Sequence, residues 1–344
     1  MKMKSIQFYE PLNIKYEEVE IKDPREGEVQ VKIMAALTCG TDVKTYRRGH
    51  PILIKKVPSG FGHEFSGVIT KIGKNVAGFE VGDRVVAANS APCGECFFCK
   101  RGDYNLCEHL EFLNGAYAEY INIPKAIVKR NLLKLPDDLS FEKAAFCEPL
   151  ANVIHGVDKT GIKAGQTVGV MGIGPIGLLF VKLATLRGAR VIAAGRNPMK
   201  MKMAKEMGAQ EVIDLNKYKN PEKIFIDFSD GKKGLDVAVE CIGLPEIWED
   251  MFRYVRKGGI VHLFGGCKEG STINIDTRRL HYDEIKVLSI FHHTPLYFRE
   301  ALKMISENKI PVDKLITDTV SLEHTEEALI KHMNGRAIKV LIKP

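Results

Sequence analysis

No stretch of this 344-residue chain approaches the roughly 20 consecutive apolar residues that a membrane-spanning helix needs, so no helical membrane protein is expected. The lysines near its start, Lys2 and Lys4, are followed by no apolar run of the kind a secretory leader carries, which points to a cytoplasmic protein. Concentrated charge is missing too. The formal net charge is +7, but lysines and arginines are spread among acids, as in residues 143–148 and 219–233. That is a solvated surface with a mild pull on anionic ligands, not the patch or tail of a nucleic-acid binder. Internal repeats and low-complexity segments are absent.

What the chain does have is length and cysteine. Its length exceeds one ordinary hydrophobic core and implies two domains. Of eight cysteines, Cys93, Cys96, Cys99 and Cys107 fall within fifteen positions. Without an export signal their thiols stay reduced, so the cluster reads as metal ligation rather than disulfides.

The first third carries short β-like runs at 29–35, 65–72 and 84–88, separated by glycine-rich turns, which predicts an all-β body. From about residue 144, apolar strands alternate with helical periods. Strands are expected at 167–171, 190–194, 212–214, 236–241, 259–264 and 285–289, the pattern of a doubly wound parallel sheet. Asn197 suits a helix cap, Pro198 its first turn and Gly208 its end. Met199, Met203 and Met207 share one face of that helix and read as core packing. The tail holds a short helix and a strand at 337–342, assigned back to the first body. The boundaries so drawn are 1–150 with 291–344 for that body, including a cysteine lobe at about 92–108, and 151–290 for the parallel-sheet domain.

Within the second domain, a strand at 167–171 runs into Gly172-Ile-Gly174-Pro175-Ile176-Gly177 and then a helix. In this strand–turn–helix setting the first glycine makes the tight turn, the second lets a pyrophosphate approach and the third lets the helix pack, with the helix N-terminus facing the phosphates. An NAD site usually places an acid about 20 residues on, to bind the ribose 2′-hydroxyl. Here the next strand ends in Gly195-Arg196, and no acid occurs between Gly177 and Glu206. Arg196, with Lys200 nearby, suits a 2′-phosphate, so NADP(H) is favoured over NAD(H). The alternative is a surface arginine on an enzyme that takes both.

Four thiolates spaced Cys93-x2-Cys96-x2-Cys99-x7-Cys107 suit a tetrahedral, coordinatively closed zinc with a structural role. An iron–sulfur cluster is the alternative, although the proline that follows the fourth ferredoxin cysteine is replaced here by Glu108. Elsewhere Cys39, His63, Glu64 and Glu148 make up a mixed thiolate, imidazole and carboxylate set, as expected of a catalytic zinc with one open position. Each taken singly has an ordinary reading, and spacing alone does not join them.

Taken together, Cys-Gly-Thr-Asp at 39–42, Gly-His-Glu-Phe-Ser-Gly at 62–67, Gly-Asp-Arg-Val at 82–85, the cysteine lobe, Glu-Pro-Leu at 148–150 and the glycine turn resemble the zinc-containing medium-chain dehydrogenases over nearly the whole chain. The sorbitol, polyol and threonine dehydrogenase branch is the most similar. The resemblance implies a GroES-like β-rich catalytic domain with a Rossmann domain, two zinc ions per subunit and a homodimer or homotetramer. It carries the catalytic zinc onto Cys39, His63 and Glu148, with Glu64 as an alternating or neighbouring ligand and Cys147 as a lesser alternative. Hydride would pass between an alcohol carbon and the nicotinamide, with Thr41 relaying the hydroxyl proton. Two departures stand out. The run Leu113-Asn-Gly-Ala-Tyr-Ala-Glu119 is short for the family, and Phe291-His292-His293 stands where sorbitol dehydrogenases place an Arg-Tyr pair, leaving His292 and His293 as candidate substrate contacts, with a surface or interface role as the alternative. The substrate reads as a polyol or sugar alcohol, with threonine or a simple secondary alcohol as alternatives. Outside enzymes, the rival is a non-catalytic dinucleotide- or nucleic-acid-binding protein, which the intact Cys39, His63 and Glu148 disfavour.

Overall fold

The computed structural model describes residues 2–51, 53–218 and 220–344. The chain divides into two compact units, Met1–Ala151 with His293–Pro344, and Asn152–His292.

The first unit is built on a seven-stranded sheet. Six strands run in the order Leu132–Lys134, Arg84–Ala87, Glu64–Ile72, Val29–Leu37, Lys339–Lys343 and Ile316–Ser321, and Tyr120–Ile123 also pairs with Val29–Leu37. β-Branched residues dominate the strand interiors, where they pack well on a pleated surface. Val29, Val31, Ile33, Ile69, Val85 and Val340 are buried in one core, each contributing roughly 1.5–3 kcal/mol of burial energy. Leu37 pairs with both Glu64 and Leu341, so the ends of three strands remote in sequence converge.

The second unit holds a six-stranded parallel sheet in the order Glu211–Asp214, Arg190–Gly195, Thr167–Met171, Leu235–Glu240, Val255–Leu263 and Lys286–Leu288. Val168, Val170, Val191, Val237 and Val239 are fully buried, as strands covered by helices on both faces must be. Strand order reverses at Thr167–Met171, and the crevice at its carboxyl end is where such sheets bind ligands. Asn197 caps the helix Pro198–Glu206, its side chain accepting from the Lys200 N–H at 3.2 Å. Met207 is buried and Met199 and Met203 partly so, in keeping with packing. Val255–Leu263 starts earlier than the expected 259 because Val255 already pairs with Leu235, before the ladder shifts register. Among the described residues, no helix is long and apolar enough to cross a membrane.

Candidate active site

The strand Val29–Leu37 passes through Thr38 into the helix Gly40–Arg48, whose N-cap is Cys39. Asp42 closes this cap by accepting from the Cys39 N–H at 3.1 Å, and the Thr41 N–H donates to Cys39 Sγ at 3.4 Å. Because Leu37 faces Glu64 across the sheet, His63 and Glu64 arrive beside Cys39. The ligand atoms of Cys39, His63 and Glu64 lie within 4.8 Å of one another.

Asp42 Oδ1 stands 2.9 Å from His63 Nδ1, while its Oδ2 accepts from the Tyr117 hydroxyl at 2.5 Å. A carboxylate so surrounded can only accept, so Nδ1 carries the proton in this pair and Nε2 is left toward Cys39. Burial pushes the His63 pKa down, but Asp42 and Cys39 hold it well above the ordinary imidazole range. Burial, with Glu64, pushes the Cys39 thiol up. Burial raises the Glu64 carboxyl to about 7, against the pull of Lys339. Lys339, itself buried, pairs with Glu64 Oε2 and donates to the Thr38 carbonyl at 3.0 Å. Glu64 Oε1 is buried with no hydrogen-bond partner among the described residues. An orphaned buried oxygen costs on the order of 1–3 kcal/mol or more, unless a ligand takes it.

Glu148 lies in the first turn of the helix Cys147–Thr160 and is buried. Its charge acts on Glu64 and Lys339, but its carboxylate groups within 4.8 Å of a ring nitrogen of His293 rather than with Cys39 and His63. His293 Nε2 is 3.1 Å from Asn89 Oδ1. His292, in the second unit, has a left-handed backbone (φ 61°), and its carbonyl is 2.7 Å from His155 Nδ1. Cys147 is enclosed and its thiol pushed well up by burial alone, an environment that disfavours a thiolate ligand.

The four remaining candidate thiols meet in their own lobe. Sγ separations are 3.5 Å for Cys93–Cys107, 3.9 Å for Cys93–Cys99 and 3.9 Å for Cys96–Cys107. A zinc tetrahedron with bonds of about 2.3 Å has S–S edges of about 3.8 Å. Backbone N–H groups point at the sulfurs: Cys93 N to Cys107 at 3.2 Å, Gly94 N to Cys99 at 3.3 Å and Cys96 N to Cys93 at 3.4 Å. The N–H groups of Glu95 and Cys96 lower the Cys93 pKa to about 6.

At the switch point of the second unit lies a cavity of about 450 Å3, lined by Gly172, Gly174, Gly195, Arg196 and Lys200 among others. Pro175, Ile176 and Gly177 form the first turn of the helix Pro175–Leu186 behind it. Gly172 has φ 91°, a Cβ on Gly177 would lie 2.0 Å from the Gly172 carbonyl, and a Cβ on Gly174 would meet nothing within 4 Å. Gly174 thus leaves the helix N-terminus open toward the cavity, where an anion is favoured. The Arg196 carbonyl accepts from Asn216 Nδ2 at 2.7 Å, which fixes the turn at the strand end. Partial burial pushes the Lys200 ammonium pKa down.

Residues 25–137 match the alcohol dehydrogenase GroES-like domain family, and residues 175–307 the zinc-binding dehydrogenase family. The chain is 32% identical to a sorbitol dehydrogenase of Bacillus subtilis (strain 168), covering 99% of this chain and 97% of that one. It is 32% identical to an L-threonine 3-dehydrogenase of the same organism, covering 95% and 94%. A crystal structure of a provisionally assigned zinc-binding dehydrogenase from Sinorhizobium meliloti 1021, bound to NADP, superposes with a TM-score of 0.91 at 32% identity over 100% of both chains. The chain belongs to the zinc-binding medium-chain dehydrogenases.

The residues of this dehydrogenase fit the groups its family implies. The Cys93–Cys107 lobe has sulfur spacings suited to zinc, the orphaned Glu64 oxygen sits with a thiol and an imidazole, and the Gly174 cradle is open. Sequence reasoning missed three supporting residues, Asp42, Tyr117 and Lys339. Asp42 stood inside the quoted 39–42 motif, and Tyr117 inside the short 113–119 run. Gly62 (φ 86°) marks Tyr117 indirectly, because a Cβ there would strike its ring at 2.7 Å. Lys339 had no local signal at all.

Proposed function

We propose that this dehydrogenase interconverts a secondary alcohol of a polyol or sugar alcohol and the matching ketone, with NADP(H) favoured over NAD(H). The observation that carries the reading is the unpartnered Oε1 of Glu64 beside Cys39 and His63. Cys39, His63 and Glu148 would hold a catalytic zinc, with Glu64 alternating. The grouping of Glu64 with Cys39 and His63 supports it as the resting carboxylate, and Glu148 as the one that replaces it. When bound, the metal supplies Lewis acidity toward a substrate hydroxyl. Asp42 orients the His63 ring by holding its Nδ1–H. Oxidation removes a proton from the hydroxyl and a hydride from its carbon. Thr41 would take the proton onward, and the Gly172–Gly177 turn would hold the dinucleotide, which when bound supplies the hydride acceptor. Cys93, Cys96, Cys99 and Cys107 would hold a second zinc with no position left for substrate. His292 and His293 remain candidate substrate contacts, and the active form is a homodimer or homotetramer.

The absence of an acid at the end of Arg190–Gly195, with Arg196 and Lys200 lining the cavity, supports NADP(H). The threonine dehydrogenase relative favours a second reading, in which the substrate is L-threonine. Steady-state kinetics on sorbitol and other polyols, L-threonine and simple secondary alcohols, each with NADP+ and NAD+, separate the two. The highest kcat/KM is expected for a polyol with NADP+. A large preference for NAD+ overturns the cofactor assignment, and a best rate on L-threonine overturns the substrate class.

A further inference from the structure

The dinucleotide cavity has a feature that phosphate binding does not explain. One wall is a face of the helix Pro245–Tyr254, where Ile247, Asp250 and Tyr254 recur at three- and four-residue spacing. Asp250 is the one carboxylate among the described lining residues. A carboxylate facing a polyanionic ligand is unfavourable unless it meets a donor. In a Rossmann half-site the pyrophosphate lies on the glycine turn and the ribose at the end of the second strand. The base must therefore lie beyond both, where Leu215 and Ile247 offer apolar flanks and Asp250 and Tyr254 the polar end. The Tyr254 ring is held in place by stacking on Phe225, with centroids 5.0 Å apart and an interplanar angle of 26°. The ion pair of Asp250 with Arg253, at 3.4 Å, uses its Oδ1.

We propose that Asp250 reads the base of the dinucleotide, accepting a hydrogen bond from the 6-amino group of adenine and rejecting a 6-oxo purine. The chemistry is one-sided. An ionised carboxylate only accepts; adenine presents an N–H donor at position 6, and hypoxanthine presents a carbonyl oxygen there. The mismatch loses a charge-assisted bond and sets two acceptors against each other. Burial at the wall pushes the Asp250 carboxyl up, Arg253 pulls it back, and Glu249 and Glu246 push it up again. A hydrogen-bond donor on the ligand would offset that burial.

The inference rests on the reading that this cavity takes a nicotinamide dinucleotide, and the test separates the two. Dissociation constants are measured by titration calorimetry on the zinc-loaded enzyme for NADP+, NAD+ and their hypoxanthine counterparts, with wild type and Asp250→Asn. Wild type should bind the adenine form roughly 10- to 100-fold more tightly than the hypoxanthine form. Asp250→Asn, whose amide can accept from an amine or donate to a carbonyl, should reduce that ratio to within about 3-fold, mainly by gaining affinity for hypoxanthine. Equal binding of the two bases by wild type overturns the proposal without touching the dinucleotide reading. So does a variant that keeps the base ratio but changes the ratio of NADP+ to NAD+, which would place Asp250 on the ribose. Failure of wild type to bind either adenine dinucleotide overturns the dinucleotide reading itself, and the proposal with it.

Discussion

Lys339 is the residue on which the active-site cluster depends without belonging to its ligand set. A buried ammonium is costly to desolvate, and only a well-placed partner offsets the cost. Here the partners are Glu64 Oε2 and the Thr38 carbonyl. Replacing Lys339 with Met leaves the Glu64 carboxylate buried without its cation. The expected loss is on the order of 3–5 kcal/mol, read as a lowered melting temperature, and the double variant with Glu64→Gln should recover part of it. Equal melting temperatures for wild type and Lys339→Met would contradict the pairing. None of this was legible locally, since Lys339 reads as a polar residue in a predicted strand, 301 positions from Thr38. Arg196 is the opposite case, visible because it lies two positions past the end of the predicted strand. Arg196→Ala should weaken NADP+ binding roughly 10- to 100-fold, through loss of a charge-assisted phosphate contact, and leave NAD+ binding nearly unchanged. A parallel loss for both cofactors would remove Arg196 from the 2′-phosphate.

At the level of elements, what is contiguous in the sequence was readable and what depends on sheet register was not. The glycine turn is one strand, one loop and one helix start, and each glycine's spacing states its role. The cysteine lobe is a single loop whose N–H groups and sulfurs organise one another within 17 positions, from Cys93 to His109. Cys107→Ser should therefore cost one zinc and lower the melting temperature while the other zinc stays bound. Loss of both metals would show the lobe and the Cys39 cluster to be one cooperative unit. By contrast, the proposed ranking of Glu64 over Glu148 rests on the pairing of Leu37 with Glu64. Residues 62–67 and 148–150 offer their carboxylates equally in the sequence; only the ladder sets Glu64 beside Cys39.

On the scale of the whole molecule, the two units divide the chemistry. One gathers a thiol, an imidazole and carboxylates at converging strand ends, and the other provides a cradle for phosphates at a sheet's switch point. The alternation of strand and helix made the second unit readable, because buried parallel strands are apolar throughout. The first unit was harder, because strands from the two ends of the chain are neighbours in its sheet. The central claim is that this dehydrogenase carries a closed zinc site in the lobe and an open one at Cys39 and His63. Its most direct test is the zinc content of purified wild type against His63→Ala, measured by mass spectrometry of the metal. The account predicts a fall from two zinc ions per chain to one, with one ion assigned to Cys93–Cys107 and one to Cys39, His63 and Glu64. A variant that keeps the wild-type zinc content would contradict it.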